Sequence, residues 1–307
     1  MNKLLAIVIP AYKSHFLKET LDSLCKQTCK DFILYIGDDC SPFNIKEIVD
    51  TYIDHIQIVY YRFQNNLGKI DLVGQWERCI ALSKEPWIWL FSDDDTMDET
   101  CVERFYEAIK LFPNQEIFHY NVNVIDQNSN IIKRTRFPKV LSSQDFALGK
   151  LKGILNSYVV EYAFSRNIYE KNQGFQKFDL AWNSDDATWI KFGISNGIKT
   201  ITGACVNWRK SSLNISPQNT NREIVLRKLN ANLAYLSWLL TLSFTNKKIR
   251  FLISMTTWFM TNLITYRNAL SNIEQDKWIR KYCQTINKFY CYPFCKIYIF
   301  IKQLLKS

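Results

Sequence analysis

Between Leu4 and Leu111, short apolar runs alternate with stretches of helical spacing, and this alternation restricts the fold more than any other feature of the chain. LLAIVI (4–9) is a continuous apolar run, as expected of a strand covered on both faces. Phe16, Leu17, Leu21, Leu24 and Cys25 then fall at helical spacing. DFILYIGDD (31–39) reads as a strand, NIKEIVDTYI (44–53) as a helix and IQIVYYRF (56–63) as extended chain. A helix over 72–82, the strand PWIWLF (86–91) and a helix over 98–111 complete a βαβαβαβ rhythm. That rhythm predicts a mostly parallel sheet with helices on both faces.

In such sheets ligands bind beyond the carboxyl ends of the strands. Polar clusters stand at those ends: PAYK after the first strand, DDCS after the second and SDDDT after the fourth. The last of these gathers Asp93, Asp94 and Asp95, whose carboxylates repel one another and call for a cation. GxGxxG and GxxxxGK are both absent, which argues against a nicotinamide site and a P-loop. Residues 115–165 read as further strands, chiefly EIFHYNVNVI and SYVVEYAF, with a turn at 126–130. A helix over 184–195 and a short strand over 204–208 follow.

Beyond about Pro217 the chain becomes helical, aromatic and basic, so two domains are expected, 1–217 and 218–307. Of the net charge of +10, residues 218–307 carry +11, from 14 Lys/Arg against 3 Asp/Glu, and residues 1–217 carry −1. Trp238, Trp258, Trp278, Tyr292, Phe294 and Tyr298 interleave with these basic residues. That pattern suits either an interfacial helix on an anionic membrane or a helical cap with a solvated basic face. Nucleic acid is not expected as a partner. The longest apolar stretch, Phe251–Tyr266, is too short and polar to span a bilayer. The apolar start is too short for a signal peptide, and the nine cysteines read as reduced thiols. A cytoplasmic protein, peripheral on the inner face of the membrane, is the expectation.

The ordered motifs AIVIPAYK, YIGDDCS, NNLG, QWERCIALSKEPWIWLFSDDD, EYAFSRNIYEKNQGF, SDDATWIKFG and WRKSSLNIS resemble the family 2 glycosyltransferases over roughly residues 4–217. The resemblance implies the GT-A fold, a Rossmann-like nucleotide-binding domain, with a helical region following it. It also implies an inverting, metal-dependent transferase taking a sugar from a nucleotide-sugar, with a UDP-sugar favoured. The acceptor would be a hydroxyl of a glycan or lipid-linked saccharide, in bacterial surface polysaccharide synthesis.

Mapped residue by residue, Pro10, Ala11 and Tyr12 form the wall for the base, and Asp39 accepts from a base N–H. The family's D-x-D signature reads Ser92-Asp93-Asp94 here, with serine in place of the first aspartate. By register Asp94 is the ligand for Mn²⁺ or Mg²⁺, Asp93 stands at the ribose and Asp95 supports the loop. Asp186 takes the place of the general base, with Asp185 beside it and Gly174-Phe175 upstream. Arg78 and Arg209 are candidates for the diphosphate or for support. Ser211 stands where the family often has a metal-binding histidine, and His15, His55 and His119 match no family role. Two other readings compete. A sugar-phosphate nucleotidyltransferase wants a glycine-rich basic loop that PAYKSHF does not provide. A catalytically degenerate assembly partner is suggested by Ser92 and Ser211 but opposed by Asp39, Asp94 and Asp186.

Overall fold

The computed structural model describes residues 3–211, 219–245 and 249–304. The expected boundary at 217 and the end of the WRKSSLNIS motif lie outside these residues. The chain divides into two compact units, the first made of residues 1–143, 157–176 and 188–211, the second of 144–156, 177–187 and 212–307.

The first unit is built on β1 (Leu5–Ala11), α1 (Leu17–Cys25), β2 (Phe32–Asp38), α2 (Ile45–Asp50), β3 (Ile58–Arg62), α3 (Leu72–Ile80) and β4 (Trp87–Leu90). These four strands are parallel in the order β3-β2-β1-β4. Nearly every side chain of β1 is buried, because helices cover both faces of a central parallel strand. The register pairs Ala11 with Asp38, so the polar residues after both strands emerge at one sheet edge.

The chain continues through β5 (Thr96–Met97), α4 (Cys101–Leu111), β6 (Ile117–Ile125), β7 (Ile131–Thr135), β8 (Val140–Leu141), α5 (Ser143–Leu151), β9 (Tyr162–Ser165), α6 (Arg166–Lys171), α7 (Ser184–Phe192) and β10 (Ile198–Arg209). β9 enters antiparallel between β4 and β6, and β10 runs parallel to β6. The sheet is thus mixed at this end. Trp89 on β4 stacks on Tyr120 of β6 with centroids 4.8 Å apart, and its Nε1–H donates to the Val160 carbonyl at 2.7 Å. This buried pair holds the carboxyl end of β4 in place immediately before the acidic turn.

Two segments differ from expectation. SYVVEYAF pairs as a strand only over Tyr162–Ser165, because Glu161 Oε1 accepts the Tyr158 N–H at 2.8 Å and closes a turn over the β-branched residues. The strand expected over 204–208 is the end of the twelve-residue β10, whose pairing shifts between Ile201 and Cys205 near Gly203 at φ +91°.

In the second unit α8 (Arg222–Thr241), α9 (Ile249–Thr265), α10 (Asn272–Thr285) and α11 (Tyr292–Leu304) pack around Leu236, Met255, Phe259, Leu263, Tyr282 and Cys295. Asn221 caps α8, and Ser271 with Glu274 forms a capping box on α10, so both starts are written in the sequence. Among the described residues no helix is long and apolar enough to cross a membrane.

Candidate active site

The acidic turn after β4 is tied to the loop after β1. Asp93 Oδ2 accepts the backbone N–H groups of Tyr12 at 2.8 Å and of Lys13 at 2.6 Å. Asp94 accepts from the Ser92 hydroxyl and from the Lys13 ammonium, which also stands 3.5 Å from Asp93 Oδ1. Burial raises the Asp93 carboxyl to about 6 against the pull of Lys13. Burial and Asp94 push Asp95 well above the usual carboxylate range. Desolvation opposes the charge on Lys13, but Asp93 and Asp94 outweigh it and hold the ammonium above its ordinary value.

Arg209 is fully buried behind this turn. Its backbone N–H donates to Asp95 Oδ1 at 2.6 Å, its Nε to the Asp94 carbonyl at 2.8 Å and its Nη2 to Glu19 at 2.7 Å. Nη1 reaches the Asp126 carbonyl and the Ser129 hydroxyl, and the guanidinium lies 4.1 Å from the centroid of the Phe16 ring. This is the geometry of a brace for the acidic turn.

Asp39 organises the neighbouring loop. Its Oδ1 accepts the Leu67 N–H at 2.8 Å and Arg78 Nη2 at 2.5 Å, and its Oδ2 accepts the Gly68 N–H at 2.8 Å. A Cβ at residue 68 would lie 2.6 Å from Asp39 Oδ2, so the contact needs glycine there. Arg78 also donates to the Asn65 carbonyl at 2.8 Å and stacks 3.8 Å from the Phe63 centroid. Asp39 N–H donates to the Ala11 carbonyl, and the Ser41 hydroxyl donates to the Tyr12 carbonyl at 2.6 Å. Pro10 and Ala11 end β1, and the Tyr12 side chain is left exposed. The preceding Asp38 is fully buried and serves packing, bound to Tyr60 and Arg62.

Asp185 and Asp186 begin α7 in the second unit. Lys150 of α5, also in that unit, places its Nζ 3.0 Å from Asp186 Oδ1. Burial lifts Asp186 to about 7, Lys150 opposing and Asp185 adding, and burial raises Asp185 as well. The turn before α7 holds Leu180, Ala181 and Asn183 at φ +59°, +54° and +65°, an uncommon run for residues other than glycine. Side chains of α8 secure it: Arg227 grips Asp179 through two hydrogen bonds, and Asn232 Oδ1 accepts from Trp182 Nε1 and Asn183 Nδ2.

The structure therefore brings Pro10, Ala11, Tyr12, Asp39, Arg78, Asp93, Asp94, Asp95 and Arg209 to one edge of the first unit, and Asp185 with Asp186 to a helix start in the second. Sequence reasoning missed two lysines. Lys13 was visible as the last residue of PAYK, whereas Lys150 gave no signal, being 36 residues from its partner.

A parallel α/β unit whose strand-end loops are joined through a buried acidic turn defines a protein of the GT-A nucleotide-binding class. The model for glycosyl transferase family 2 matches residues 6–183, and the chain belongs to that family. A curated relative, glycosyltransferase GlyG of Streptococcus pneumoniae serotype 4, is 22% identical over 177 residues, 55% of this chain and 54% of its own. The chain thus spans about half the length of that relative. Among solved structures, residues 1–349 of S. aureus TarS in complex with UDP-GlcNAc superpose with a TM-score of 0.57 at 12% identity, covering 96% of this chain and 88% of that one. Mannosyltransferase PcManGT of Pyrobaculum calidifontis, in complex with GDP-Man and Mn²⁺, gives 0.55 at 10% identity, covering 99% and 88%.

Proposed function

We propose that the chain is an inverting glycosyltransferase that moves a sugar from a nucleotide-sugar, a UDP-sugar favoured, to a hydroxyl of a glycan or lipid-linked saccharide. The observation that carries this reading is the Asp93 clamp on the backbone of Tyr12 and Lys13, which locks the loop after β1 to the acidic turn after β4. The UDP-GlcNAc and GDP-Man held by the structural neighbours support a nucleotide-sugar donor. In this reading Tyr12 stacks on the base, Asp39 accepts from a base N–H and Asp93 faces the ribose. Arg209 and Asp95 keep the turn rigid. Asp186 takes the proton of the acceptor hydroxyl, and the raised value that its burial gives suits a general base near neutral pH.

The donor set suits a hard divalent cation in its chemistry, since the Asp93 and Asp94 carboxylates already gather one cationic centre, the Lys13 ammonium. Among the described residues no group of three or more His, Cys, Asp or Glu is placed to hold a metal. Asp94, with Asp93 beside it, would hold Mn²⁺ or Mg²⁺ together with phosphate oxygens of the donor. When bound, the ion supplies charge neutralisation at the departing diphosphate.

We assign residues 1–217 to the transferase domain and 218–307 to an appended helical region. That region fits a role at the cytoplasmic face of the membrane in surface polysaccharide synthesis. Hydrolysis of a nucleotide-sugar panel, with and without Mn²⁺, tests the proposal. One donor should be turned over in preference, with the nucleotide diphosphate released, and no hydrolysis or transfer from any donor would overturn it.

A further inference from the structure

We propose that Lys13 is a resident cation of the donor site, neutralising Asp94 and Asp93 when no nucleotide is bound and passing to the donor's diphosphate when one is. The inference rests on the reading of the acidic turn as the diphosphate site. Both oxygens of Asp94 are engaged from within the chain, one by the Ser92 hydroxyl and one by the Lys13 ammonium. Serine thus takes up the oxygen that faces it, where a first aspartate would bring a further negative charge. The Lys13 backbone N–H is fixed by Asp93 at 2.6 Å, so the stem of the side chain starts from a rigid point. The side chain is not sealed off, with 27% of it exposed. A lysine held at its root and paired only through its flexible tip can exchange one anionic partner for another without moving the loop. A compact ammonium with rotatable donors is suited to phosphate oxygen as a point charge.

This arrangement gives the ammonium opposite effects on two ligands. Toward a bare divalent cation Lys13 is a competitor, since it occupies the same carboxylate oxygens and repels a second positive charge. Toward a nucleoside diphosphate it is a partner, since it adds positive charge where the phosphates arrive. A lysine that only pairs with Asp94 and Asp93 would show the first effect and not the second.

The test measures binding, with Mn²⁺ alone read by electron paramagnetic resonance of the free ion and UDP and GDP read by calorimetry in EDTA. Lys13→Met should bind bare Mn²⁺ more tightly, by roughly tenfold, and should bind the preferred nucleotide in EDTA more weakly by a similar factor. Lys13→Arg should keep most of the nucleotide affinity, because the charge remains. Thermal unfolding of each variant shows that the fold is intact. Unchanged nucleotide affinity in EDTA, or Mn²⁺ affinity that stays level or falls in Lys13→Met, would overturn the proposal. If the unaltered chain binds neither UDP nor GDP, with or without Mn²⁺, the reading of the acidic turn itself is wrong and the inference falls with it.

Discussion

Lys150 Nζ lies 3.0 Å from Asp186 Oδ1, joining a helix that sequence patterning did not reveal to the residue proposed as the base. Asp186 must be ionised to accept a proton, and burial sets its value at about 7, with Lys150 pulling it down and Asp185 pushing it up. Turnover should therefore fall as pH drops through about 7. Tyr235 also faces the pair, and burial with the two carboxylates holds its phenol neutral there. Removing Lys150 removes the force that favours the ionised form, so Lys150→Met should move the acid limb of kcat upward by roughly one to three pH units. Lys150→Arg should restore it in part. Asp186→Asn should lower kcat by roughly two to four orders of magnitude at any pH while leaving nucleotide affinity nearly intact. A Lys150→Met profile that superposes on the original would remove Lys150 from this role.

Arg209 offers a stability prediction. Its guanidinium is wholly enclosed, and replacing it with Met leaves the Asp94 carbonyl without its donor, while the Asp126 carbonyl keeps only the Ser129 N–H and Glu19 only the Ser129 hydroxyl. Arg209→Met should cost about 3 kcal/mol of folding stability, read as a lower urea midpoint at unchanged slope. Nucleotide affinity should fall as well, because the Asp94 carbonyl loses its backing while only the backbone bond to Asp95 remains. A variant with unaltered stability would show that the buried network is dispensable.

Asp94 is where the metal reading is exposed to failure. Asp94→Asn keeps the shape but replaces a carboxylate by a poor ligand for a hard cation, so activity should be lost while the fold persists. The unaltered chain should lose its turnover in EDTA and recover it on adding Mn²⁺ or Mg²⁺. Full turnover in chelator would mean that Lys13 alone supplies the positive charge.

The first four strands and three helices of the first unit were legible in the sequence because β1, β2 and β4 are sheltered runs, the edge strand β3 is β-branched and aromatic, and each helix shows a clean apolar stripe. The acidic turn was legible because adjacent carboxylates at a strand end are costly without a purpose. What sequence did not disclose is pairing at a distance. α5 buries Phe146, Ala147, Leu148 and Leu151, an apolar cluster without a single stripe, so its helical period was hidden among strand-like neighbours. Arg209 looked like a residue free to reach a ligand. Its burial depends on Glu19, 190 positions away, on Phe16 and on the 126–129 turn, and no local pattern encodes that encounter.

The basic helices give the last prediction. On α11, Cys295 and Ile299 face inward, while Phe294, Ile297, Phe300, Ile301 and Leu304 lie 49–68% exposed on the opposite arc. Lys302 is exposed beside this arc, and Phe289, Tyr290 and Lys288 are exposed just before the helix. Scattered apolar residues on a surface mean little, but a contiguous arc flanked by lysines is suited to the boundary between headgroups and acyl chains. The +11 charge of residues 218–307 adds attraction to an anionic leaflet, about 1 kcal/mol for each basic residue near its surface. The full chain should therefore sediment with vesicles rich in phosphatidylserine or phosphatidylglycerol and not with pure phosphatidylcholine. High salt should weaken the binding without abolishing it, because the apolar part is not screened. Phe294→Ser combined with Ile301→Ser, both on the exposed arc, should lose binding while thermal unfolding stays the same. If the unaltered chain stays in the supernatant with anionic vesicles at low salt, this arc serves a protein contact, and a soluble acceptor becomes the better reading.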